Sequence, residues 1–161
     1  LLNKKGIKTA VTGHDKFKND VNEADAKVVI EVRVPAQVDD AAGKTEASTV
    51  LEKEDTVAIY GSNEFAAKAI INANGGFKES KLGADKILAV GFDSGALQQD
   101  AIRKGIFVGS VTQDPVQIGY QAVKLAIAAA KGETVKDVDT GSKWYDAKNI
   151  DSEEIKALLY E

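Results

Sequence analysis

At 161 residues with 43% hydrophobic content, the chain can bury one good core, and its length predicts a single domain. Charged residues make up 29% and the net charge is −4, with no basic cluster longer than two residues, which argues against nucleic acid or an anionic membrane as partner. The longest apolar run, residues 125–130, is too short to span a bilayer, and the absence of cysteine removes disulfide, zinc–cysteine and thiol chemistry together. Methionine is absent too, and the chain opens on Leu-Leu-Asn-Lys-Lys without the pattern of a signal peptide. It therefore reads as a processed or excised product with further sequence upstream of Leu1.

In chain order, strand-length apolar runs alternate with segments of helical periodicity. Strands are predicted over residues 7–13, 27–34, 56–61, 86–92 and 106–112, several of them nearly continuous in Val, Ile and Ala, as strands buried on both faces are. Between them, helices are predicted over residues 39–53 and 63–74, the second stopped by Gly75-Gly76, and from Ser94 to Gly105. This alternation predicts an α/β fold with a doubly wound parallel sheet. The polar segment between Gly13 and Lys27 has only Phe17 and Val21 as large apolar anchors, and a short or irregular helix is expected there.

After the fifth strand the pattern changes. Asp114-Pro115 forms an N-cap followed by proline at the first helical position, opening a long helix to Lys131 with Gly132 as its stop. Val116, Tyr120, Val123 and Ile127 make its apolar stripe. A polar extended stretch covers residues 135–146. A last helix is expected from about Asp151, with Glu154 as capping-box partner and Ile155, Leu158 and Leu159 packed inward.

In open parallel sheets, ligands bind beyond the carboxyl ends of the strands. Those ends read Gly13-His14-Asp15, Ser62-Asn63-Glu64, Asp93-Ser94 and Gln113-Asp114. Amides and carboxylates each offer two in-plane hydrogen-bonding positions, which suits adjacent hydroxyls on a sugar ring. The plainer alternative is that Asn63, Asp93 and Asp114 are simply helix N-caps. His14, the single histidine, could touch ligand from its strand end or be an ordinary loop residue. Trp144 and Tyr145 could stack on a sugar face, but anchoring the extended tail to the core is the preferred reading.

Three enzyme-like strings fail on chemistry. Gly43-Lys44-Thr45 lacks the first glycine of a phosphate-binding loop, replaced by Val38, and lies inside a predicted helix. Asp139-Thr140-Gly141 is a single copy where an aspartic protease needs two carboxylates sharing a proton. The acidic stretch from Asp15 to Asp25 lacks the central glycine and closing glutamate of a calcium loop. With no nucleophile–base pair or metal set to assemble, neither an enzyme nor a resident metal or cofactor is expected.

At the strand ends the chain resembles type 1 periplasmic sugar-binding proteins of the ribose-binding class. The matching strings are VAIYGSNEFAAKAI, ILAVGFDSGALQQDAIRKGIFVGSVTQDPVQIGYQAVKLAIAAAKGE and the tail DTGSKWYDAKNID. The resemblance covers the last two-thirds well and the first third loosely. It implies that Asn63, Asp93 and Gln113 hydrogen-bond sugar hydroxyls, with His14 as a further candidate. It also implies a C-terminal lobe over residues 1–112, and hinge crossings with a helix on the other lobe over 113–141. Residues 142–161 would be the tail, and the N-terminal lobe would be missing. An ABC permease in the membrane, a monosaccharide ligand and an extracytoplasmic location follow as expectations, with no nucleic-acid partner.

Departures from the family pattern are plain. Residues 14–26 contain no arginine, and Val38 stands near where the family places a ring-stacking aromatic. A half-site offers few contacts to offset the freedom lost on binding, so this chain alone is expected to bind sugar weakly or not at all. The alternative reading is the effector-binding core of a LacI-type repressor, which shares the fold. A response regulator is excluded because the first strand ends in Thr12-Gly13 rather than acidic residues, and the fifth does not end in lysine.

Overall fold

A computed structural model describes residues 7–13 and 23–160 of the chain. The chain divides into two units, Leu1–Val38 and Asp39–Glu161.

In the first unit, β1 (Thr9–Thr12) and β2 (Val28–Glu31) form a two-stranded parallel ladder, with Thr9 opposite Val28 and Thr12 opposite Glu31. Thr9 and Ala10 are buried. Gly13 follows β1 at φ 83°, where an added Cβ would strike the Val32 carbonyl, so this turn requires glycine. Of the expected irregular helix, a 3-10 turn at Glu23–Asp25 is seen. His14 lies outside the described residues.

The second unit carries α1 (Asp40–Leu51), β3 (Ala58–Tyr60), α2 (Glu64–Ala73), β4 (Leu88–Phe92), α3 (Ala96–Arg103), β5 (Gly109–Gln113), α4 (Pro115–Ala130), β6 (Ser142–Tyr145) and α5 (Glu153–Lys156). Its sheet has the order β3-β4-β5-β6, parallel across the first three strands and antiparallel at the last. All five expected strands therefore form, and those of the two units hydrogen-bond in separate ladders. The sixth strand lies in the stretch read as merely extended. Of its four residues only Tyr145 is buried while Ser142, Lys143 and Trp144 are exposed, so no alternation marks it out in a polar segment.

Helix α2 is central to the core, packing on α1, α3 and β4. It buries Ala67, Ala69, Ile70 and Ile71 and ends at Gly75 and Gly76, both at positive φ. The Gly76 amide closes the helix on the Ile71 carbonyl at 3.0 Å. Gly43 of α1 faces the Phe65 ring of α2, where a Cβ would come within 2.9 Å of Cζ. The Gly-Lys-Thr string is thus a helix–helix close approach. Ile102, Phe107, Tyr145 and Ile150 complete the core.

Two helix starts differ from expectation. Helix α3 begins at Ala96 with Gly95 as N-cap, because the Ser94 hydroxyl is buried and donates to the Leu158 carbonyl at 3.3 Å. Helix α5 is capped by Ser152, whose Oγ accepts from the Ile155 amide. Asp151 instead pairs with Arg103 at 3.2 Å, and Glu154 pairs with Lys143.

The stripe of α4 forms as expected, but no residue of α4 is buried within the described residues. Val116, Tyr120, Val123 and Ile127 all stand more than half exposed. An amphipathic helix gains most of its stability from burying its apolar face, and α4 does not do so here.

The contrast is measurable by urea unfolding of the chain. Ile102→Ala, at a fully buried position, is expected to cost about 2–5 kcal/mol. Val123→Ala, 62% exposed, is expected to stay within about 0.5 kcal/mol of the parent.

Candidate functional site

The carboxyl ends of β3, β4 and β5 carry Asn63, Asp93 and Gln113. Ala58 pairs with Leu88 and Tyr60 with Val90, so Asn63 and Asp93 lie at equal distances beyond a matched pair. Val90 pairs with Gly109, and Gln113 closes β5 beside them. The structure therefore brings these three sequence-predicted residues to one rim of one sheet.

Two of the three also cap a helix. Asn63 is the N-cap of α2, its Oδ1 accepting from the Ala66 amide at 2.9 Å. Asp93 caps the same helix from the neighbouring strand: its Oδ2 accepts from the Glu64 amide at 2.9 Å. Asp114 is the N-cap of α4, accepting from the Gln117 amide at 2.8 Å. The cap alternative is thus realised for Asn63 and Asp114, whereas Asp93 caps α2 rather than the helix that follows it.

Capping and ligand binding are compatible here. One oxygen of each side chain is committed, leaving Nδ2 of Asn63 and Oδ1 of Asp93 without a protein partner among the described residues. The side-chain amide of Gln113 makes no hydrogen bond among them either. The rim thus presents an amide donor, a carboxylate acceptor and a complete amide, which matches vicinal hydroxyls that each donate and accept.

A buried polar layer lies behind this rim; the sequence reading singled out Asp93 and, as a core anchor, Tyr145, but not the layer they form. Asp93 has φ 75°, one of two non-glycine residues at positive φ among those described. Its carbonyl accepts from the Tyr145 hydroxyl at 2.8 Å, from Ser110 Oγ at 3.0 Å and from Gln98 Nε2 at 3.4 Å. Thr112 donates to Ser94 Oγ at 3.0 Å. Tyr160 reaches the same corner, its hydroxyl donating to Glu64 Oε2 at 3.3 Å and accepting from the Ser94 amide at 3.5 Å. The available signal was the polar content of β5: Ser110 and Thr112 interrupt a strand otherwise read as apolar.

Burial pushes the Tyr145 phenol up to about 12 from its usual 10.0; the Ser110 hydrogen bond opposes this, and Tyr160, Asp93 and Glu64 add to it. Tyr160 is raised by burial as well. Trp144 lies over Gly109, where any Cβ would collide with the indole, and its Nε1 donates to Asp146 at 3.1 Å. The expected anchoring role holds for Tyr145, which is wholly buried, while Trp144 is 44% exposed. Asp139-Thr140-Gly141 is a turn in which Asp139 Oδ1 accepts from the Gly141 amide at 2.8 Å. Among the described residues no helix is long and apolar enough to cross a membrane.

The sequence pattern of the family described as a periplasmic binding protein domain matches residues 4–134. A structure from Brachyspira murdochii, described as an ABC transporter, LacI family transcriptional regulator, is 38% identical at TM-score 0.73, covering 95% of this chain and 56% of that one. An ABC transporter solute-binding protein from Agrobacterium vitis with bound D-fucose is 28% identical at TM-score 0.71, covering 86% and 47%. A carbohydrate transporter solute-binding protein from Agrobacterium radiobacter in complex with D-arabinose is 27% identical at TM-score 0.68, covering 84% and 44%. The chain thus spans about half the length of these structures. Among curated proteins there is no match.

Two outcomes follow from the geometry. Asn63→Ala removes a cap and is expected to cost about 1 kcal/mol in urea unfolding, whereas Asn63→Asp keeps the accepting oxygen and most of that stability. The second concerns alkaline pH. Tyr145 stays protonated in the folded chain above the value at which the unfolded chain loses its proton. Its contribution is therefore complete below pH 10.0 and is lost as pH rises towards about 12. The fall in urea midpoint between about pH 9 and about pH 11 is expected to be smaller in Tyr145→Phe.

Proposed function

The chain belongs to the periplasmic binding protein domain family, and from that premise we propose that it supplies one half of a monosaccharide site in the solute-binding component of an ABC importer. One observation carries this reading: Asn63, Asp93 and Gln113 stand on one rim, each with hydrogen-bonding capacity uncommitted. Sugar hydroxyls are the ligand chemistry that uses a donor, an acceptor and an amide side by side. The D-fucose and D-arabinose bound by the two Agrobacterium relatives support the same class. The role is binding rather than catalysis.

In this reading residues 1–112 form a C-terminal lobe, and residues 113–141 hold two hinge crossings and α4. Residues 142–161 return to the lobe as β6 and α5. The bare stripe on α4 supports a partner lobe that covers it. Sugar held between two lobes favours their closed arrangement, since only that arrangement contacts the ligand from both sides. A membrane permease outside the cytoplasm would recognise the closed form. The Brachyspira murdochii relative also favours a second reading, the effector-binding core of a LacI-type repressor. A helix-turn-helix upstream of the lobe would support that reading, and an export signal would support the importer.

The test is a thermal-shift panel including D-fucose and D-arabinose on the chain joined to its amino-terminal lobe. One sugar is expected to raise the melting temperature, and Asn63→Asp, which keeps the cap but loses the Nδ2 donor, is expected to weaken that sugar about tenfold or more. No stabilisation across the panel would remove the reading.

A further inference from the structure

The left-handed backbone of Asp93 needs a cause. A non-glycine residue there costs about 1–2 kcal/mol, and such strain persists only where surrounding structure over-determines it. No glycine stands at position 93; the φ of 75° is met by a side chain that also caps α2. What holds the peptide is the buried layer behind it. The Asp93 amide donates to the Val111 carbonyl at 2.7 Å, which fixes one side. The carbonyl receives the Tyr145 and Ser110 hydroxyls.

These two donors are not independent. Ser110 and Tyr145 are register partners across the β5–β6 ladder. The returning strand thus sets a phenol beside a serine hydroxyl, and both converge on one carbonyl oxygen. Tyr145 is wholly buried, so its hydroxyl has no water to fall back on, and Gln98 is 1% exposed with its Nε2 committed to the Phe92 carbonyl at 2.9 Å.

We propose that Tyr145, paired with Ser110, is a positioning residue that locks the Asp93 peptide in its left-handed conformation and thereby aims the Asp93 carboxylate at the ligand rim. The clause about ligand rests on the sugar-binding reading; the locking of the peptide does not. Removing the phenol hydroxyl leaves the carbonyl with fewer donors in a site without solvent, so the backbone relaxes towards the negative φ that aspartate ordinarily adopts. The carboxylate then leaves both the Glu64 amide and the rim. Residues 142–145 would in this way shape recognition without touching sugar.

The experiment has two arms. In the first, the intraresidue NOE between the Asp93 amide and α protons, strong at positive φ where the two protons approach closely and weaker at negative φ, is measured by NMR on the 15N-labelled chain for the parent, Tyr145→Phe and Ser110→Ala. A weakened Asp93 NOE in Tyr145→Phe is expected, and an unchanged NOE overturns the proposal. If Tyr145→Phe does not fold, Ser110→Ala decides on the same criterion. In the second arm, D-fucose and D-arabinose are titrated calorimetrically into the two-lobed protein. Affinity for whichever sugar binds is expected to fall about tenfold in Tyr145→Phe. Unchanged affinity overturns the aiming role, because a merely stabilising residue would lower the melting temperature without weakening the folded protein for its ligand. A weakened NOE with no sugar bound by the parent upholds the lock and removes the sugar reading instead.

Discussion

The hydrogen bond from the Glu64 amide to the Asp93 carboxylate joins residues 29 positions apart and ties the start of α2 to the end of β4. Together with the Asn63 cap it gives α2 two acceptors at its amino terminus, where an α-helix leaves four amides without internal partners. Negative charge at that end is also favoured by the helix dipole. Helix α2 in turn carries much of the core through Ala67, Ile70 and Ile71. The same two side chains therefore serve the packing beneath them and the rim above them. Each spends one polar atom on the fold and keeps one for what lies outside.

Much of this was legible in the sequence. The period of apolar residues gave every helix within a few positions, Gly75-Gly76 marked the end of α2, and Asn63 and Asp114 proved to be the caps their type suggests. The strand ends named the rim because parallel strands of similar length finish level. What stayed hidden was long-range or local in a way that pattern cannot express. Ser94 reads as a helix start, yet its hydroxyl is claimed by Leu158, 64 residues on. Asp93 reads as a cap for the helix after it and caps the helix before it. A four-residue strand such as β6, with Tyr145 alone buried, carries no alternation to separate it from the polar stretch around it, and its meaning comes from the partner strand β5. His14 falls outside the described residues, so its candidacy gains nothing from the fold.

Helix α4 shows where sequence and described structure part company for a physical reason. Its stripe has the spacing of a helix built to be covered, and Pro115, Asp114 and Gly132 bound it cleanly. Within the described residues nothing covers it. Sixteen residues of good helix, with an apolar side that the described residues leave uncovered, are the surface the proposed partner lobe would cover. The match over residues 4–134 to a family whose compared structures are about twice as long agrees with that.

The antiparallel pairing of β6 on β5 has a consequence for how the molecule is made. Residues 142–145 leave the ribosome after β5, and some thirty residues, α4 among them, emerge between the two paired strands. Until they do, the outer edge of β5 is unpaired, Ser110 lacks its cross-strand neighbour, and the open edge is available to other chains. The layer behind the rim is thus closed after the rim itself during vectorial synthesis, and a chain stopped before Ser142 would keep its helical core with an unfinished edge.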